Sequence, residues 1–222
     1  EKLQYSASIR IQDARPLARR IYNWGLDLGQ THFRKIEAGG RLTPVERVKH
    51  FAAKILVFNP LKRFMGIDKV PWGFVGGAPP SPEVVRFFRV IGVPLYQVYG
   101  MTESAGLAFF QNADKAIVGA SGVAAPGLQY RIADDGELEI KHPSVFLGYL
   151  DNQKATEETV VDGWLQTGDV VEQLDNGEIA IVDRKKSIII TSGGKNIKPS
   201  EIENALKDSI YIAEAIVVGE GR

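Results

Sequence analysis

The sequence predicts an α/β fold made of a parallel α/β subdomain, a small antiparallel β-barrel-like subdomain and the start of a truncated α+β C-terminal domain. Three observations support this class. Helical periodicity dominates the first third of the chain, short apolar strands alternate with helices after Trp72, and turn-rich alternating runs follow. The predicted parts are 1–117, whose residues 1–70 are helical, then the β-rich residues 118–182, and finally residues 183–222.

The first predicted helix occupies the segment after Asp13. Its apolar residues Leu17, Ile21, Trp24 and Leu28 fall at helical spacing. Gly29 follows the last of them and is expected to end the helix.

A second helix is expected to begin at Thr43, because Pro44 suits the first helical position and Thr43 forms a capping box with Glu46. Asn59-Pro60 is expected to end it. Its predicted apolar face comprises Val48, Phe51, Ile55 and Phe58. Core packing explains these aromatic residues, and spacing alone does not separate that role from the wall of an apolar substrate tunnel.

A strand–helix–strand unit is predicted after Trp72. "WGFVGGAPP" is a strand with a glycine loop, "SPEVVRFFRVIG" is a helix capped by Ser81 with Pro82 at its first position, and "VPLYQVYG" is the next strand. This order favours a parallel sheet with a site at the strand ends.

Two hairpins are predicted in the β-rich part, with turns at Asp134-Asp135-Gly136 and Asn176-Gly177. The segment after them reads as strand, glycine turn and helix, with Ser200 and Glu203 as a second capping box.

Composition excludes several classes of function. Lys plus Arg and Asp plus Glu number 27 each, so the formal net charge of zero provides no electrostatic case for nucleic acid. The absence of cysteine excludes disulfides, thiolate metal sites and a cysteine nucleophile, and is compatible with a reducing cytoplasm. The histidines His32, His50 and His142 show no metal-ligand spacing.

The residues Tyr99, Gly100, Thr102 and Glu103 follow one another where a predicted strand runs out. The tyrosine ring offers a stacking face for a purine, and glycine allows close approach of a ligand to the backbone. The hydroxyl can contact a phosphate, and the carboxylate can hold Mg²⁺ beside substrate phosphates. A nucleoside triphosphate site is one interpretation, and a turn with a solvated glutamate is the other.

Two later stretches supply matching chemistry. Asp169, in "QTGDV", can accept both hydroxyls of a ribose, although a simple β-turn would also explain it. Arg184 and Lys186 follow a strand and can neutralise phosphate, with a solvated basic loop as the alternative.

The order of these stretches resembles the adenylate-forming superfamily, which comprises acyl-CoA synthetases, adenylation domains of peptide synthetases and luciferase. The resemblance covers about 76–206 and is most like a long-chain fatty acyl-CoA ligase. The matching segments are "GGAPP", "YQVYGMTES", "VGASGVAAPGLQYRI", "GELEIKHPSVFLGYL", "DGWLQTGDV" and "DRKKSIIITSGGKNIKPSEIENAL".

The resemblance implies ATP-dependent activation of a carboxylic acid as acyl-AMP with Mg²⁺, followed by transfer to CoA. It also implies roles for individual residues. The adenine pocket would comprise Gly76, Gly77, Ala78, Pro79, Gln97, Val98, Tyr99 and Gly100, with Tyr99 stacking on the base. The remaining roles would fall to Thr102 at the α-phosphate, Glu103 on Mg²⁺, Asp169 on the ribose, Arg184 and Lys186 at ribose or phosphate, and Gly193 and Gly194 in the CoA channel.

Asp183 would mark the start of the mobile C-terminal domain. Such an enzyme is expected in the cytoplasm, acting on small molecules, and peripheral contact with the inner face of a membrane is compatible with a long-chain substrate.

The sequence departs from the family pattern in three places. The upstream phosphate loop and the late C-terminal lysine do not occur in it, and Gln153 stands where the family often has proline. We therefore expect a fragment that is inactive alone. Two alternatives remain: another adenylate-forming enzyme, such as an acyl-AMP ligase or a peptide-synthetase adenylation domain, and a non-catalytic nucleotide-binding module.

Overall fold

The structure is a computed structural model that describes residues 6, 9–78, 80–113, 116–190, 195–207, 209, 211, 212 and 214–219. The chain divides into two compact units. The first comprises Glu1–Phe74 and Pro82–Tyr96, and the second comprises Val75–Ser81 and Gln97–Arg222.

Helices and strands are both present, and the strands Gly73–Val75 and Leu95–Met101 flank a helix, which confirms the predicted α/β class. The α-helices are α1 (Pro16–Glu37), α2 (Pro44–Ala53), α3 (Asn59–Phe64), α4 (Pro82–Val90), α5 (Gln153–Thr159) and α6 (Pro199–Lys207). The strands are β1 (Gly73–Val75), β2 (Leu95–Met101), β3 (Gly106–Phe110), β4 (Val123–Ala124), β5 (Gln129–Ile132), β6 (Glu137–Lys141), β7 (Val160–Val161), β8 (Trp164–Gln173), β9 (Ile179–Arg184), β10 (Ile189–Ile190) and β11 (Asn196–Ile197). Over the part of the chain described above, no helix is both long and apolar enough to cross a bilayer.

Helix α1 continues past Gly29, so the prediction that this glycine ends the helix was wrong. A Cβ at Gly29 would lie 2.6 Å from Val90 Cγ1 and 2.9 Å from Phe58 Cζ. The glycine therefore serves close helix packing within the first unit rather than termination.

Helix α2 begins as predicted, because Thr43 accepts the Glu46 N–H and Glu46 accepts the Thr43 N–H. Its predicted end at Asn59-Pro60 was wrong. A π-helical turn, Lys54–Phe58, leads directly into α3, and the Asn59 N–H donates to the Lys54 carbonyl. This wider turn lets the helical path continue across Pro60, which has no N–H to donate.

The predicted apolar faces of these helices were right for Ile21, Leu28 and Phe58, which lie in the core or pack against it. They were wrong for the exposed residues Leu17, Trp24, Val48, Phe51 and Ile55. Leu17 is 69% exposed and Phe51 is 63% exposed. The core of the first unit is formed by Tyr22, Ala53, Val57, Phe58, Leu61, Phe88, Ile91 and Val93. Periodicity identified the helices, but it identified only part of the side of each helix that is buried.

The strands form three sheets. One has the order β1-β2-β3-β4, with antiparallel pairing of β2 to β3 and of β3 to β4. The unit β1-α4-β2 was predicted, including the start of α4 at Pro82. The antiparallel continuation into β3 and β4 was not predicted. The pairing of β3 with β2 follows from the short connection at Thr102–Ser104, which cannot form a parallel crossover.

The second sheet is antiparallel and five-stranded, with the order β5-β6-β8-β7 and with β9 paired to β8. Both predicted hairpins are confirmed, β5 with β6 and β8 with β9. A two-stranded pair, β10 with β11, follows. The core of the second unit comprises Ala108, Phe109, Leu138, Ile140, Leu165, Val171 and Ile179.

Candidate functional site

A cleft in the second unit gathers most of the sequence-predicted residues. It lies beside the C-terminal part of β2, the middle of β8 and the end of β9. Its lining residues are Gly77, Ala78, Pro80, Gln97, Val98, Tyr99, Gly100, Met101, Ser121, Asp169, Ile181, Asp183, Arg184 and Ser200.

Asp169 is the central polar group of the cleft. It is 5% exposed, and its carboxylate accepts the Tyr99 hydroxyl at 2.6 Å and pairs with Arg184 Nε at 2.9 Å. The antiparallel register of β8 and β9 sets Asp169 opposite Arg184, so two adjacent strands fix this ion pair. An ionised carboxylate has about four acceptor positions, and these two contacts leave acceptor capacity for a ligand.

Burial changes the acid–base behaviour of both partners. It raises the pKa of Asp169, while the hydrogen bond from Tyr99 and the charge of Arg184 act in the opposite direction. Burial, followed by the charge of Asp169, raises the pKa of Tyr99 far above its ordinary value. Tyr99 therefore remains a protonated donor at neutral pH, and its ring packs against Phe109 with centroids 6.1 Å apart.

Two glycines allow backbone segments to approach closely beside the cleft. A Cβ at Gly76, directly after β1, would lie 2.6 Å from the carbonyl oxygen of Val98. A Cβ at Gly100 would lie 1.5 Å from the Gly106 carbonyl oxygen, where the β2–β3 register shifts. The bare backbone of Gly77 and the neighbouring Ala78 line the cleft, whereas Pro79 lies outside the described residues.

Gln97 has a structural partner in addition to its place in the cleft wall. It is 5% exposed, its side-chain oxygen accepts the Gly119 N–H at 2.9 Å, and its own N–H donates to Gln111. Its side chain is thus held by the loop before β4, and Val98 lines the cleft beside it.

Thr102 and Glu103 lie in a short 3₁₀ turn immediately after β2. Thr102 is exposed, and Glu103 is half-buried and accepts the Tyr149 hydroxyl at 2.6 Å. This hydrogen bond is the main cause of a raised pKa of Tyr149. Glu103 faces a second cavity of about 730 Å³ in the same unit, which also adjoins Met101 and Arg184.

Lys186 lies with Arg184 on the second cavity, together with Lys185 and Arg131. The structure therefore brings the predicted cations to the same side of the second unit as Glu103. The predicted CoA-channel residues Gly193 and Gly194 lie outside the described residues.

Asp183 is a buried carboxylate that links β9 to helix α6. Its oxygens accept the Ser200 hydroxyl at 2.9 Å and the Ser200 N–H at 3.1 Å. The predicted capping box of Ser200 and Glu203 was therefore wrong. Ser200 lies inside α6, which begins at Pro199, and Glu203 accepts the Val217 N–H instead.

Sequence reasoning missed Tyr149, Ser121 and Ser200 as neighbours of the site. Tyr149 and Ser121 come from loops distant in sequence from the residues they join, so no local pattern signals them. The "GYL" segment that contains Tyr149 was recognised only as part of a longer match, without a role for the ring or the hydroxyl.

The chain is similar to proteins of one described family. The profile of a family described as AMP-binding enzyme matches residues 30–150. A long-chain-fatty-acid–CoA ligase, FadD15, of Mycobacterium bovis is 37% identical over 176 residues, covering 79% of this chain and 29% of the relative. A 2-succinylbenzoate–CoA ligase of Listeria monocytogenes is 40% identical over 148 residues, covering 66% of this chain and 32% of the relative.

A solved structure shares the fold. The O-succinylbenzoate coenzyme A synthetase of Bacillus subtilis, in complex with ATP and magnesium ion, superposes with a TM-score of 0.61 at 29% sequence identity. The match covers 68% of this chain and 34% of that chain. The chain thus spans about a third of the length of these relatives.

Proposed function

Because the chain belongs to the family of AMP-binding enzymes, we propose that it forms the nucleotide-binding part of an ATP-dependent carboxylic acid–CoA ligase. In this reaction the carboxylate of the acid attacks the α-phosphorus of ATP, and pyrophosphate leaves. The CoA thiol then displaces AMP from the acyl-adenylate and gives the thioester. Protein groups contribute by positioning and by offsetting the repulsion between anions, and no protein nucleophile is needed.

The single observation that carries this proposal is the buried Asp169 beside Tyr99 and Arg184. Its unused acceptor positions suit the two hydroxyls of a ribose, and the adjacent Arg184 suits the α-phosphate. Tyr99 would present its ring to adenine. The other walls of the base pocket would be the backbone and side chains of Gly76, Gly77, Ala78, Pro79, Gln97, Val98 and Gly100.

Glu103 fits a magnesium ion that takes its remaining ligands from phosphate and water. Mg²⁺ is commonly held by one or two carboxylates plus substrate phosphates, and Tyr149 fixes the orientation of this carboxylate from one side. Bound Mg²⁺ would offset the negative charge of the triphosphate. Thr102, directly before Glu103, would donate its hydroxyl to the α-phosphate, and Lys186 would add positive charge near the leaving pyrophosphate.

The acyl substrate is proposed to be a long-chain fatty acid, and the acceptor is proposed to be CoA. The similarity to a long-chain-fatty-acid–CoA ligase over 79% of the chain supports the first assignment. The chain is also 40% identical, over 148 residues, to a ligase named for a different acid, 2-succinylbenzoate. Gly193 and Gly194 would line the pantetheine path, and a cytoplasmic location would supply ATP and CoA.

The test is a panel of acids from acetate to stearate, assayed with the full-length protein, ATP, Mg²⁺ and CoA, with pyrophosphate and acyl-CoA measured separately. We expect pyrophosphate release and thioester formation to be greatest with the long-chain acids. Pyrophosphate release without any thioester would identify an acyl-AMP ligase or a carrier-protein-dependent enzyme. ATP binding without pyrophosphate release from any acid would identify a non-catalytic module and contradict the proposal.

A further inference from the structure

Glu137, at the start of β6, is a buried carboxylate with two charged or polar partners. It is 6% exposed. One oxygen accepts the Gly168 N–H at 2.9 Å, and the other accepts Lys185 Nζ at 2.7 Å. Burying a carboxylate is unfavourable unless it is paired and hydrogen-bonded, so these contacts account for its presence in the interior.

The peptide units on both sides of Gly168 are held by the same pair of residues. Its N–H donates to Glu137, and its carbonyl accepts the Lys185 N–H at 2.8 Å. Gly168 has a φ of +72°, a conformation that glycine adopts without the steric cost other residues incur. Glu137, Gly168 and Lys185 thus form a closed ring of hydrogen bonds, which we call the Gly168 clamp.

The Gly168 clamp sits directly beside the centre of the cleft. Gly168 precedes Asp169, and Lys185 follows Arg184, so the clamp holds the backbone of both members of the ion pair from one side. Asp135 also pairs with Lys185, but about half of its side chain is exposed. The Asp135–Lys185 pair is exposed and so contributes little to the free energy of folding. Glu137 is therefore the more important partner of Lys185, because it is buried.

We propose that Glu137 is a positioning residue for nucleotide binding, which acts through Gly168 to hold the Asp169 carboxylate against the ribose hydroxyls. This inference rests on the proposed function, in which Asp169 contacts the ribose. Glu137 itself lines the second cavity rather than the cleft, so its effect on the ribose is transmitted by the backbone.

The test compares ATP with 2′,3′-dideoxy-ATP as substrates of the full-length protein and its Glu137→Gln variant. A glutamine keeps the size of the side chain but turns an amide donor toward either the Gly168 N–H or the Lys185 ammonium, so the clamp opens. We expect the wild-type preference for ATP, as a ratio of kcat/KM values, to fall by about tenfold in the variant. The KM for ATP should rise while the KM for the acid stays unchanged.

Glu139→Gln is the matched control. Glu139 is also on β6, is 8% exposed and pairs with Arg131, but it has no contact with Gly168 among its hydrogen bonds. This variant should retain the wild-type preference for ATP. A Glu137→Gln variant that lowers activity with both nucleotides by the same factor would overturn the inference, because a purely structural role lowers both equally.

A second variant covers the case in which Glu137→Gln does not fold. Lys185→Met removes the other half of the clamp from a side chain that is 47% exposed, and it should reduce the ATP preference in the same direction. An unchanged preference in this folded variant would overturn the inference, as would loss of folding in both variants. If the wild-type protein itself shows no preference for ATP, the ribose assignment of Asp169 fails instead, so the two failures are distinguishable.

Discussion

The two units of the chain differ in what they bury. Among the described residues, the first unit buries one polar side chain, His32, and leaves large apolar residues such as Leu17, Phe51 and Trp72 exposed. The second unit buries carboxylates, each of them in a strand or turn of the β-rich sheet. These carboxylates are Glu137, Glu139, Asp169, Glu178 and Asp183.

The two units therefore differ in what stabilises them and in where they carry polar groups suited to chemistry. The first unit depends on close contacts between apolar helices, in which a glycine and a valine meet without space for another carbon. The second unit retains buried charges, which cost free energy unless they are paired, and most of them lie at or beside the cleft. Buried carboxylates with partners therefore indicate the functional region more directly than the apolar pattern does.

The largest expected effect comes from removing the charge at the centre of the cleft. Asp169→Asn should lower kcat/KM for ATP about a hundredfold, because hydrogen bonds from the ribose to a charged acceptor contribute about 2–3 kcal/mol. ATP-dependent pyrophosphate release measures the effect. Asp175→Asn, at the exposed β8–β9 turn, is the control and should keep wild-type activity. Similar activity of the two variants would mean that Asp169 is buried for the fold rather than for the nucleotide.

In the first unit, Gly29→Ala should destabilise the fold without altering nucleotide specificity. The new Cβ would meet Val90 and Phe58, and the resulting overpacking should lower the free energy of unfolding by about 1–2 kcal/mol after the helix-propensity gain of alanine. Urea unfolding measures the change. Asn23→Ala, at an exposed position of α1, should be neutral or stabilising. A stabilising Gly29→Ala would show that this packing is looser than its geometry indicates.

A smaller effect is expected at the proposed magnesium ligand. Tyr149→Phe removes the hydroxyl that donates to Glu103 but keeps the ring packed on Phe146. The Mg²⁺ concentration that gives half-maximal activity should rise about threefold, in line with the loss of one hydrogen bond of about 0.5–1.5 kcal/mol. Phe146→Leu, which retains the Tyr149 hydroxyl, should leave the Mg²⁺ requirement closer to the wild-type value. An unchanged Mg²⁺ requirement in Tyr149→Phe would contradict the assignment of Glu103 as the magnesium ligand.

The smallest expected effect is a pH dependence of the free energy of unfolding that arises from His50 in the first unit. Burial, followed by the charges of His32 and Lys54, lowers the pKa of His50 from 6.5. The unfolded chain therefore binds a proton more readily than the folded chain, so the free energy of unfolding is fully retained above pH 6.5 and decreases as the pH falls below it. The decrease should be under about 1 kcal/mol, because His50 is only partly buried.

Urea unfolding at pH 7.5 and 5.5 measures this difference. His50→Gln should flatten the pH dependence of the free energy of unfolding, since glutamine carries no titrating group. An equal slope in the wild-type protein and His50→Gln would contradict the assignment to His50.

The sequence predicted the elements of the second unit better than those of the first. The hairpin turns at Gly136 and Gly177 were correct, because positive φ at a glycine between alternating runs is a local property. The burial of helices α1 and α2 was mostly wrong, because apolar residues occur around both helices and only packing partners distant in sequence decide which side is covered.

The candidate site likewise has features that local sequence predicts and features that depend on residues distant in sequence. The sequence by itself determined the residue types of the proposed nucleotide site, since short motifs and a family resemblance predicted roles for Tyr99, Glu103, Asp169 and Arg184. Only the tertiary structure decided that Tyr99 and Asp169, which are 70 positions apart, share a hydrogen bond, and that Glu137 holds the peptide before Asp169. Pairing of strands brings such residues together, and strand register depends on the whole sheet rather than on any local run of residues.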